Sequence, residues 1–488
     1  MTAMRSFPRP RLLFDCPPEV LGRAFLITAR GSFTLEDCRL SAERAARVLA
    51  EAGVRPSERV AILAAGAPEV VVLFLALWRA RAVAVPVSPR WPPRQIEAHL
   101  RAIGCPLLVW DGVHGEPSRS VRTLPLGEVV TLDAPAAHPN RRIDSPPLIP
   151  GPWPRDATVI FTSGSEGLHK AVLHSFGAHY ANAAGANARL PFGCGDAWLL
   201  ALPLDRVGGL APIFRALAGG GAVACGPAGT QLDALIEMFA ATHLSLVPTQ
   251  LLRLCANPPA AARLAAMKAV LVGGGAVPPA LLAEARARGI PALATYGSTE
   301  MASQIATADP SAPDRPRVLP YRRLAIAPDG EILVRGLPLC RGYVRGARVA
   351  PVRAPDGWFA TGDLGAVDAD GRCTIAGRKD AMFISGGENV HPQEIEQALM
   401  EAPGVARALV VPLADPEFGH RPVAFVAAER LDESALREFL APRLARWKIP
   451  RRFLPWPVDA GPGDDKAARA EFARRAAAIL ACEDAGRA

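Results

Sequence analysis

The segment 158–170, with the sequence TVIFTSGSEGLHK, combines hydroxyls, glycines and one lysine directly after an apolar run. Small residues let backbone N–H groups approach phosphate oxygens, hydroxyls donate further hydrogen bonds, and a lysine ammonium adds a point charge. Gly164 and Gly167 lack the spacing of a Walker A loop, and Ala171 replaces its Ser or Thr. Composition alone also fits a Gly/Ser surface turn. The position between a strand and a scarce lysine favours a phosphate-binding loop.

Further segments combine glycine with hydroxyl, acidic or basic residues. They are, in chain order, 295–300 (TYGSTE), 358–363 (WFATGD), 377–380 (GRKD), 385–389 (SGGEN) and 461–466 (GPGDDK). A carboxylate such as Asp363 can accept hydrogen bonds from both hydroxyls of a vicinal diol. One carboxylate such as Glu300, with phosphate oxygens and water, is a usual way to hold Mg²⁺. Taken singly, Glu300 also fits a helix-start carboxylate and Asp363 or Asp380 an ordinary turn residue.

Lysines are scarce, and their positions are therefore informative. Of 55 basic residues only five are lysines, namely Lys170, Lys268, Lys379, Lys448 and Lys466. Three of the five fall inside the segments above, Lys448 lies in the segment 446–450 (RWKIP), and Lys268 alone precedes an ordinary strand. Lys170, at the end of the Gly- and Ser-rich segment, is the candidate for contact with phosphate.

Composition excludes several classes of protein. A chain of 488 residues, half of them hydrophobic, is expected to fold into two or three domains. Nine cysteines without a C-x-x-C pair indicate neither a disulfide framework nor a zinc site. A net charge of +8 without a dense basic block suits anionic small molecules and argues against nucleic acid. No apolar run is long enough to span a membrane and the start lacks a signal peptide, so we expect a cytoplasmic protein.

Strand-length and helix-length segments alternate through most of the chain. This alternation predicts an α/β fold with partly parallel sheets. The sequence DADG at 368–371 predicts a hairpin turn. Beyond Arg378 the chain has the length of a compact small domain, with a helix at 392–400 and strands at 406–412 and 422–427. We therefore predict an N-terminal domain at 1–377 and a C-terminal domain at 378–488.

Taken together, these segments resemble the motif series of the adenylate-forming superfamily, which includes acyl-CoA synthetases and other AMP-binding enzymes. The phosphate loop departs from the usual pattern at Glu166, where a Thr is usual, and at His169, where a Pro is usual. The resemblance implies a large N-terminal domain of layered β-sheets and helices and a small mobile α+β domain at the C terminus. It also implies a two-step ligase that uses ATP, Mg²⁺ and coenzyme A.

The resemblance assigns roles to individual residues. Tyr296 would stack on adenine, Thr299 would bind the α-phosphate, Glu300 would ligate Mg²⁺ and Asp363 would bind ribose. Lys466 would contact both the acid and the phosphate during adenylation. The remaining nucleotide-binding candidates are Thr162, Ser163, Gly164, Ser165, Gly167, Lys170, Gly274, Gly297 and Arg378. The resemblance also makes Asp380 a hinge and places Ser385, Gly386, Gly387 and Glu388 on the loop that lines the pantetheine tunnel.

Within the superfamily, several stretches are similar to the o-succinylbenzoate–CoA ligases of menaquinone biosynthesis. They are 198–204, 245–250, 296–303 and 417–422. A second carboxylate on the acid would need a cation or several donors. The candidates for acid binding are Arg206, Arg215, Thr249, Gly275 and Ser303, with Arg206 standing where the family often has His. Because fifty arginines are present, most of them are expected to be solvated.

Two other functions fit the sequence. One is an adenylating ligase for another aryl or fatty acid, or one that loads a carrier protein instead of coenzyme A. The other is a catalytically silent ATP-binding homologue, suggested by the departures at Glu166, His169 and Arg206. For the two-step ligase the expected partners are a small-molecule carboxylic acid, ATP and coenzyme A, and a homodimer is compatible with the sequence.

Overall fold

The computed structural model describes residues 22–114, 121–133, 154–162, 169–275, 277, 279–379, 383–390, 392–457 and 466–485. At 279–280, 376–378, 393, 397, 466–470 and 481–485 it describes the backbone alone. The chain alternates short strands and helices, as the sequence predicts.

The strands are named in chain order. They are β1 Ala24–Thr28, β2 Gly31–Thr34, β3 Arg59–Leu63, β4 Val83–Val87, β5 Leu107–Trp110, β6 Arg122–Pro125, β7 Asp156–Thr162, β8 Lys170–Ser175, β9 Ala197–Leu199, β10 Ala222–Ala224, β11 His243–Leu246, β12 Ala269–Val272, β13 Ala292–Ser298, β14 Ser303–Asp309, β15 Ala312–Val318, β16 Arg322–Ile326, β17 Glu331–Gly336, β18 Gly342–Arg345, β19 Arg348–Ala350, β20 Phe359–Val367, β21 Cys373–Arg378, β22 Phe383–Ser385, β23 Glu388–Val390, β24 Val405–Asp415, β25 Gly419–Ala428 and β26 Arg452–Pro455.

The helices are named in the same way. They are α1 Leu35–Glu51, α2 Pro68–Arg79, α3 Pro93–Ala102, α4 Leu126–Val129, α5 Phe176–Arg189, α6 Val207–Gly219, α7 Leu232–Met238, α8 Pro248–Cys255, α9 Pro258–Ala265, α10 Pro279–Ala287, α11 Pro392–Met400, α12 Glu433–Leu440 and α13 Lys466–Ala485. Single 3-10 turns lie at Thr299–Met301 and Arg446–Lys448.

Two large sheets form the body of the fold. In the described residues one has the strand order β15-β14-β13-β12-β11-β9-β10-β1-β2, and the other has the order β19-β18-β8-β7-β4-β3-β5-β6. The central strands of both sheets pair in parallel, while β13–β15 and β7–β8 pair in antiparallel fashion. The predicted α/β class with partly parallel sheets is confirmed.

The helix α2 shows why the two large sheets pack as layers. Its sequence PEVVVLFLALWR is apolar almost all round, and every residue from Val70 to Trp78 is buried. A helix without a polar face must be enclosed on all sides. Its side chains belong to one hydrophobic cluster with residues of both sheets, including Val60 of β3 and Leu244 of β11. Among the described residues, no helix is long and apolar enough to cross a bilayer.

Two smaller sheets follow along the chain. The strands β16, β17, β20 and β21 form a four-stranded antiparallel sheet, and the hairpin predicted at 368–371 joins its last two strands. The strands β22–β26 form a separate sheet, which α11 and α13 cover. The change of sheet falls between Arg378 and Phe383. The domain division at residue 377 stays a prediction, and the change of sheet lies next to it.

Candidate functional site

The centre of the site is the turn that follows β13. Ser298 caps the 3-10 turn because its hydroxyl accepts a 3.3 Å hydrogen bond from the backbone N–H of Met301. The chain then reverses through Ala302 and Ser303, whose φ angles are 54° and 120°. A side chain at Gly297 would place its Cβ 2.0 Å from the carbonyl oxygen of Ser303. Only glycine therefore fits at 297, and the tight reversal presents Thr299 and Glu300.

Tyr296 and Asp363, two of the predicted nucleotide-binding residues, are in direct contact. The Tyr296 hydroxyl donates a 2.7 Å hydrogen bond to Oδ2 of Asp363. Burial, followed by the neighbouring carboxylate charge, raises the pKa of Tyr296, so its phenol stays protonated. Asp363 pairs in register with Arg378 across β20 and β21. The carboxylate predicted to bind ribose therefore lies beside the predicted adenine platform.

Lys170 and Glu300 both lie beside Tyr343. The hydroxyl of Tyr343 donates a 2.8 Å hydrogen bond to Oε1 of Glu300, and Nζ of Lys170 lies 5.3 Å from the centre of its ring. Thr162 and Lys170 are register partners on β7 and β8. They flank the segment 163–168, so the predicted residues Ser163, Gly164, Ser165 and Gly167 lie outside the described residues, as does Glu166. The two ends of the predicted phosphate loop thus lie near Glu300.

Buried side chains of β8 and α5 form hydrogen bonds with the backbone of the turn that follows β13. His174 Nε2 lies 2.7 Å from the carbonyl oxygen of Thr299, which can only accept, so this nitrogen carries the proton. Asn182 donates to the carbonyls of Met301 and Gln304 at 2.8 and 2.9 Å. Burial lowers the pKa of His174 to about 4, which keeps the imidazole neutral at physiological pH. These contacts fix the backbone that presents Thr299 and Glu300.

Arg215, a candidate for acid binding, is a buried cation on α6. Its guanidinium donates to Oδ1 of Asn187 at 2.7 Å and to the carbonyl oxygen of Leu190 at 3.0 Å, and lies over the ring of Trp198. Among the described residues no carboxylate lies within 4 Å of it. Burial lowers its pKa to about 9, so it remains charged near neutral pH. A buried cation without a carboxylate partner is uncompensated, so an anionic ligand would stabilise it.

The other acid-binding candidates lie on segments around the turn. Thr249 is half-buried in the first turn of α8, and Ser303 is half-buried at the start of β14. Gly274 has a φ of 76°, and a Cβ at Gly275 would lie 3.5 Å from the side chain of Ile384. The sheet that contains β22 therefore closes over this edge of the site.

Arg206, the remaining candidate, points toward the C-terminal domain. Its guanidinium donates a 2.6 Å hydrogen bond to Oε2 of Glu388. Arg90 donates to the other oxygen of the same carboxylate. Glu388 is thus held by two arginines from the N-terminal part of the chain. In this arrangement the partner of Arg206 is a carboxylate of the protein.

The predicted pantetheine segment is a tight hairpin between β22 and β23. Ser385 pairs with Glu388, and the two residues between them, Gly386 and Gly387, have φ angles of 58° and 81°. Two successive positive φ angles match the turn type that suits two-residue hairpins. A Cβ at Gly387 would lie 2.9 Å from Cγ1 of Val247. The hairpin tip therefore touches the segment that begins α8.

The hinge region and the last lysine are described only in part. Nζ of Lys379 lies 2.6 Å from Asp329 and 2.8 Å from Glu331, which anchors this residue to the four-stranded sheet. Asp380 lies outside the described residues. The backbone of Lys466 forms the first residue of α13, and its side chain is not described.

Sequence reasoning missed Tyr343, His174 and Asn182. Each contacts the turn at 299–304 from a strand or helix distant in sequence. Tyr343 is one of only four tyrosines in the chain, and that scarcity is the signal that could have identified it. His174 and Asn182 carry no comparable signal, because a buried histidine or asparagine is common in a core.

Comparisons with known proteins agree with this geometry. Residues 19–344 match the family model described as AMP-binding enzyme, and 394–460 match the AMP-binding enzyme C-terminal domain. A 2-succinylbenzoate–CoA ligase of Salmonella typhimurium is 36% identical over 436 residues, which cover 88% of this chain and 89% of the relative. The superfamily predicted from the motif series is confirmed.

Two solved structures of o-succinylbenzoate CoA synthetase from Bacillus subtilis, each 27% identical to this chain, differ in how well they superpose. A double mutant bound to its product analogue OSB-NCoA gives a TM-score of 0.80, covering 92% of this chain and 94% of that chain. The complex with the acyl-adenylate intermediate OSB-AMP gives 0.64, with coverages of 92% and 95%. Identity and coverage are nearly equal in the two cases.

Proposed function

Since the chain belongs to the AMP-binding enzyme family, and within it to the 2-succinylbenzoate–CoA ligases, we propose that it joins 2-succinylbenzoate (o-succinylbenzoate) to coenzyme A at the expense of ATP. The products are the CoA thioester, AMP and diphosphate. This is a step of menaquinone biosynthesis. The enzyme works in the cytoplasm on small-molecule substrates.

The observation that carries the proposal is the grouping of residues around the turn at 296–300. Tyr296 and Asp363 provide an aromatic ring and a carboxylate in contact, and Lys170 and Glu300 both lie beside Tyr343. An aromatic surface, a diol acceptor, a cation and a carboxylate are the groups that ATP requires. They support ATP binding at this turn, with the base at Tyr296, the ribose at Asp363 and Arg378, and the phosphates between Thr162 and Lys170.

In the first half-reaction a carboxylate oxygen of the acid attacks the α-phosphorus of ATP and diphosphate leaves. The product is a mixed anhydride, the acyl-adenylate. The protein supplies orientation and charge rather than a covalent intermediate. Lys170 and Lys466 stabilise the negative charge on the phosphoryl oxygens, and the hydroxyl of Thr299 donates to the α-phosphate. The neutral His174 holds the backbone of Thr299 through its hydrogen bond to the Thr299 carbonyl oxygen.

Glu300 is the residue that would hold Mg²⁺. The described residues contain no group of three or more His, Cys, Asp or Glu side chains that could enclose a metal ion. A single carboxylate fits an ion that takes most of its ligands from phosphate and water. When bound, the ion neutralises part of the phosphate charge. Tyr343 occupies one oxygen of Glu300 and so orients the carboxylate.

For the acid we propose a site between α6, α8 and the start of β14. Arg215 would compensate the second carboxylate, since no protein carboxylate pairs with it among the described residues. Thr249 and Ser303 would donate hydrogen bonds, and Gly274 and Gly275 would leave room for the aromatic ring. Arg206 is engaged by Glu388 in the arrangement described, so we assign it to the second half-reaction.

In the second half-reaction the thiolate of coenzyme A attacks the acyl carbon and AMP leaves. We infer that the structure has the arrangement for this step. The better superposition on the complex with the CoA-linked product analogue supports it, and so does the contact of Gly387 with Val247. Adenylation would require the C-terminal domain to turn about Asp380 and bring Lys466 to the acid.

The test is ATP–diphosphate exchange with the purified protein, first with 2-succinylbenzoate and then with a panel of acids. The panel contains benzoate, 4-phenyl-4-oxobutanoate, phthalate and a medium-chain fatty acid. We expect exchange to be at least tenfold faster with 2-succinylbenzoate than with either monocarboxylic aryl acid, because these lack one of its two carboxylates. Faster exchange with the fatty acid would overturn the assigned substrate.

The acceptor is tested separately. After the acyl-adenylate has formed, CoA or a phosphopantetheinylated carrier protein is added and the thioester is measured. We expect product with CoA alone. Product only with the carrier protein would overturn the proposed acceptor, and no exchange with any acid would overturn the enzymatic activity itself.

A further inference from the structure

A cluster of aromatic and charged side chains lies where the C-terminal domain meets the end of the predicted phosphate loop. From the N-terminal part it contains Trp91, His99 and His169, and from the C-terminal domain Glu394 and Lys448. His169 is one of the departures from the superfamily pattern, and Lys448 is one of the five lysines. The half-reactions proposed above use none of these five residues.

His169 is held by contacts with other residues of the N-terminal part. Its ring stacks on Trp91 with 4.6 Å between the ring centres, and its backbone N–H donates a 2.9 Å hydrogen bond to Nε2 of His99. His99 can accept there because its Nδ1 donates to the carbonyl oxygen of Gln95 at 2.6 Å. The position of His169, directly between the segment 163–168 and Lys170, is therefore fixed by neutral partners.

Lys448 approaches this histidine from the other side. Its ammonium forms an ion pair with Glu394, at 2.5 and 2.7 Å, and lies 3.4 Å from Nε2 of His169. The side chains of Lys448 and Glu394 are only 1% and 5% exposed. An ammonium can only donate, so Nε2 of His169 must accept and the ring proton must be on Nδ1. A protonated His169 would instead place two cations at this distance.

The residues beside Lys448 show that this contact is a docking point. Ala445 is buried in a cluster formed otherwise by residues of the N-terminal part, including Trp91, and Trp447 packs against that cluster and the core of the C-terminal domain. The guanidinium of Arg90 lies 4.3 Å from the centre of the Trp447 ring. The segment 445–448 thus inserts into the N-terminal part beside the phosphate loop.

We propose that His169 and the Lys448–Glu394 pair form an interdomain latch, which holds the C-terminal domain in the thioester-forming arrangement and closes only on a neutral imidazole. The proposal rests on the two half-reactions proposed above. His169 directly follows the phosphate loop, so the latch attaches the C-terminal domain at the site from which diphosphate departs. His169 is a positioning residue, and it contacts neither acid nor CoA in this assignment.

The charges around His169 all oppose its protonation. Lys448 faces it from the C-terminal domain, the charge of Arg206 acts on it from the start of α6, and His99 faces it from α3. Glu394 forms its ion pair with Lys448, which lies between it and His169. Burial and these charges lower the pKa of His169 well below its usual value of 6.5. Opening of the interface would return the pKa of His169 toward 6.5, so low pH favours the open arrangement.

The experiment measures the two half-reactions separately between pH 5.5 and 7.5. Adenylation is followed by ATP–diphosphate exchange, and thioester formation by adding CoA to the preformed enzyme–acyl-adenylate complex. H169L removes the acceptor, and we expect thioester formation to slow by about three- to tenfold, the fold-change that corresponds to one net hydrogen bond. We expect adenylation to change by less than about twofold.

Two further variants separate the latch from local damage to the loop. H169Q keeps a hydrogen-bond acceptor that cannot be protonated. Its rate of thioester formation, relative to that of the unmodified protein, should therefore rise as the pH falls. The double variant E394Q/K448M lies entirely in the C-terminal domain, removes the donor to His169, and should reproduce the defect of H169L. Combining it with H169L should add no further loss, because both remove the same contact. R253Q breaks a more exposed interdomain ion pair with Glu417 and serves as the matched control.

Equal loss of both half-reactions in H169L, or additive losses in the combined variant, would overturn the latch. So would a pH profile of H169Q identical to that of the unmodified protein. Absence of diphosphate exchange in the unmodified protein with every acid would instead overturn the proposed function and, with it, the latch. The two failures are therefore distinguishable.

Discussion

The hydroxyl of Tyr343 donates a 2.8 Å hydrogen bond to Oε1 of Glu300, and this contact ties β18 to the turn that presents the predicted metal ligand. The ring of the same tyrosine lies 5.3 Å from Nζ of Lys170. Tyr343 thus orients the carboxylate and faces the cation expected to act on the phosphates.

Y343F should slow adenylation by about three- to tenfold. The phenylalanine keeps the ring against Lys170 but removes the hydrogen bond that orients Glu300, which is worth about 0.5–1.5 kcal/mol. Diphosphate exchange measures the effect, with thioester formation from preformed acyl-adenylate as the internal control. A larger loss in the second half-reaction would contradict this role.

G387A should impair thioester formation by at least tenfold and leave adenylation nearly unchanged. The added methyl group would lie 2.9 Å from Cγ1 of Val247 and would also strain a residue with a φ of 81°. G404A is the matched control, because Gly404 has a φ of 79° but a methyl group added there would have no neighbouring atom within 4 Å among the described residues. Similar effects of both substitutions would assign the loss to backbone strain alone.

R206Q should slow thioester formation by about three- to tenfold with little change in the KM for the acid. The reason is the loss of a charge-assisted hydrogen bond to Glu388, a carboxylate whose side chain is only 14% exposed. R253Q provides the control, since Arg253 and Glu417 are 60% and 49% exposed and such pairs contribute little. An increased KM for the acid during adenylation would show that Arg206 binds substrate instead.

The free energy of unfolding should decrease as the pH falls from 6.5 toward 4. Burial lowers the pKa values of His99 and His174 to about 4. Below pH 6.5 the unfolded chain binds protons that the folded chain does not, so each histidine favours unfolding by about 1–2 kcal/mol at pH 5. Denaturant unfolding at pH 7.5, 6 and 5 measures this. A midpoint that does not change over this range would contradict it.

The sequence predicts those parts of the site that lie within short motifs. Tyr296, Thr299 and Glu300 occur within five residues, and Asp363 ends the short motif 358–363, so their types and order indicate nucleotide chemistry. The turn at Gly386–Gly387 is similarly local, because two adjacent glycines permit the positive φ angles that it requires. Local backbone preferences are sufficient for such features.

The contacts of Tyr343 and Arg206 could not be predicted in this way. Tyr343 reaches Glu300 because β18 pairs with β8, which places it opposite Val172, far away in sequence. Arg206 faces Glu388 because of how the C-terminal sheet packs on the N-terminal part. Strand order and domain packing depend on the summed burial of many residues, and no short motif encodes them.

The anchoring of Lys379 to Asp329 and Glu331 has a consequence for the rate of domain exchange. Only three residues separate it from Phe383, where the C-terminal sheet begins, and four Cα–Cα steps span at most about 15 Å. A tether this short keeps the two surfaces at an effective concentration in the millimolar range or above. The exchange proposed above would therefore be unimolecular, and its rate should be independent of enzyme concentration.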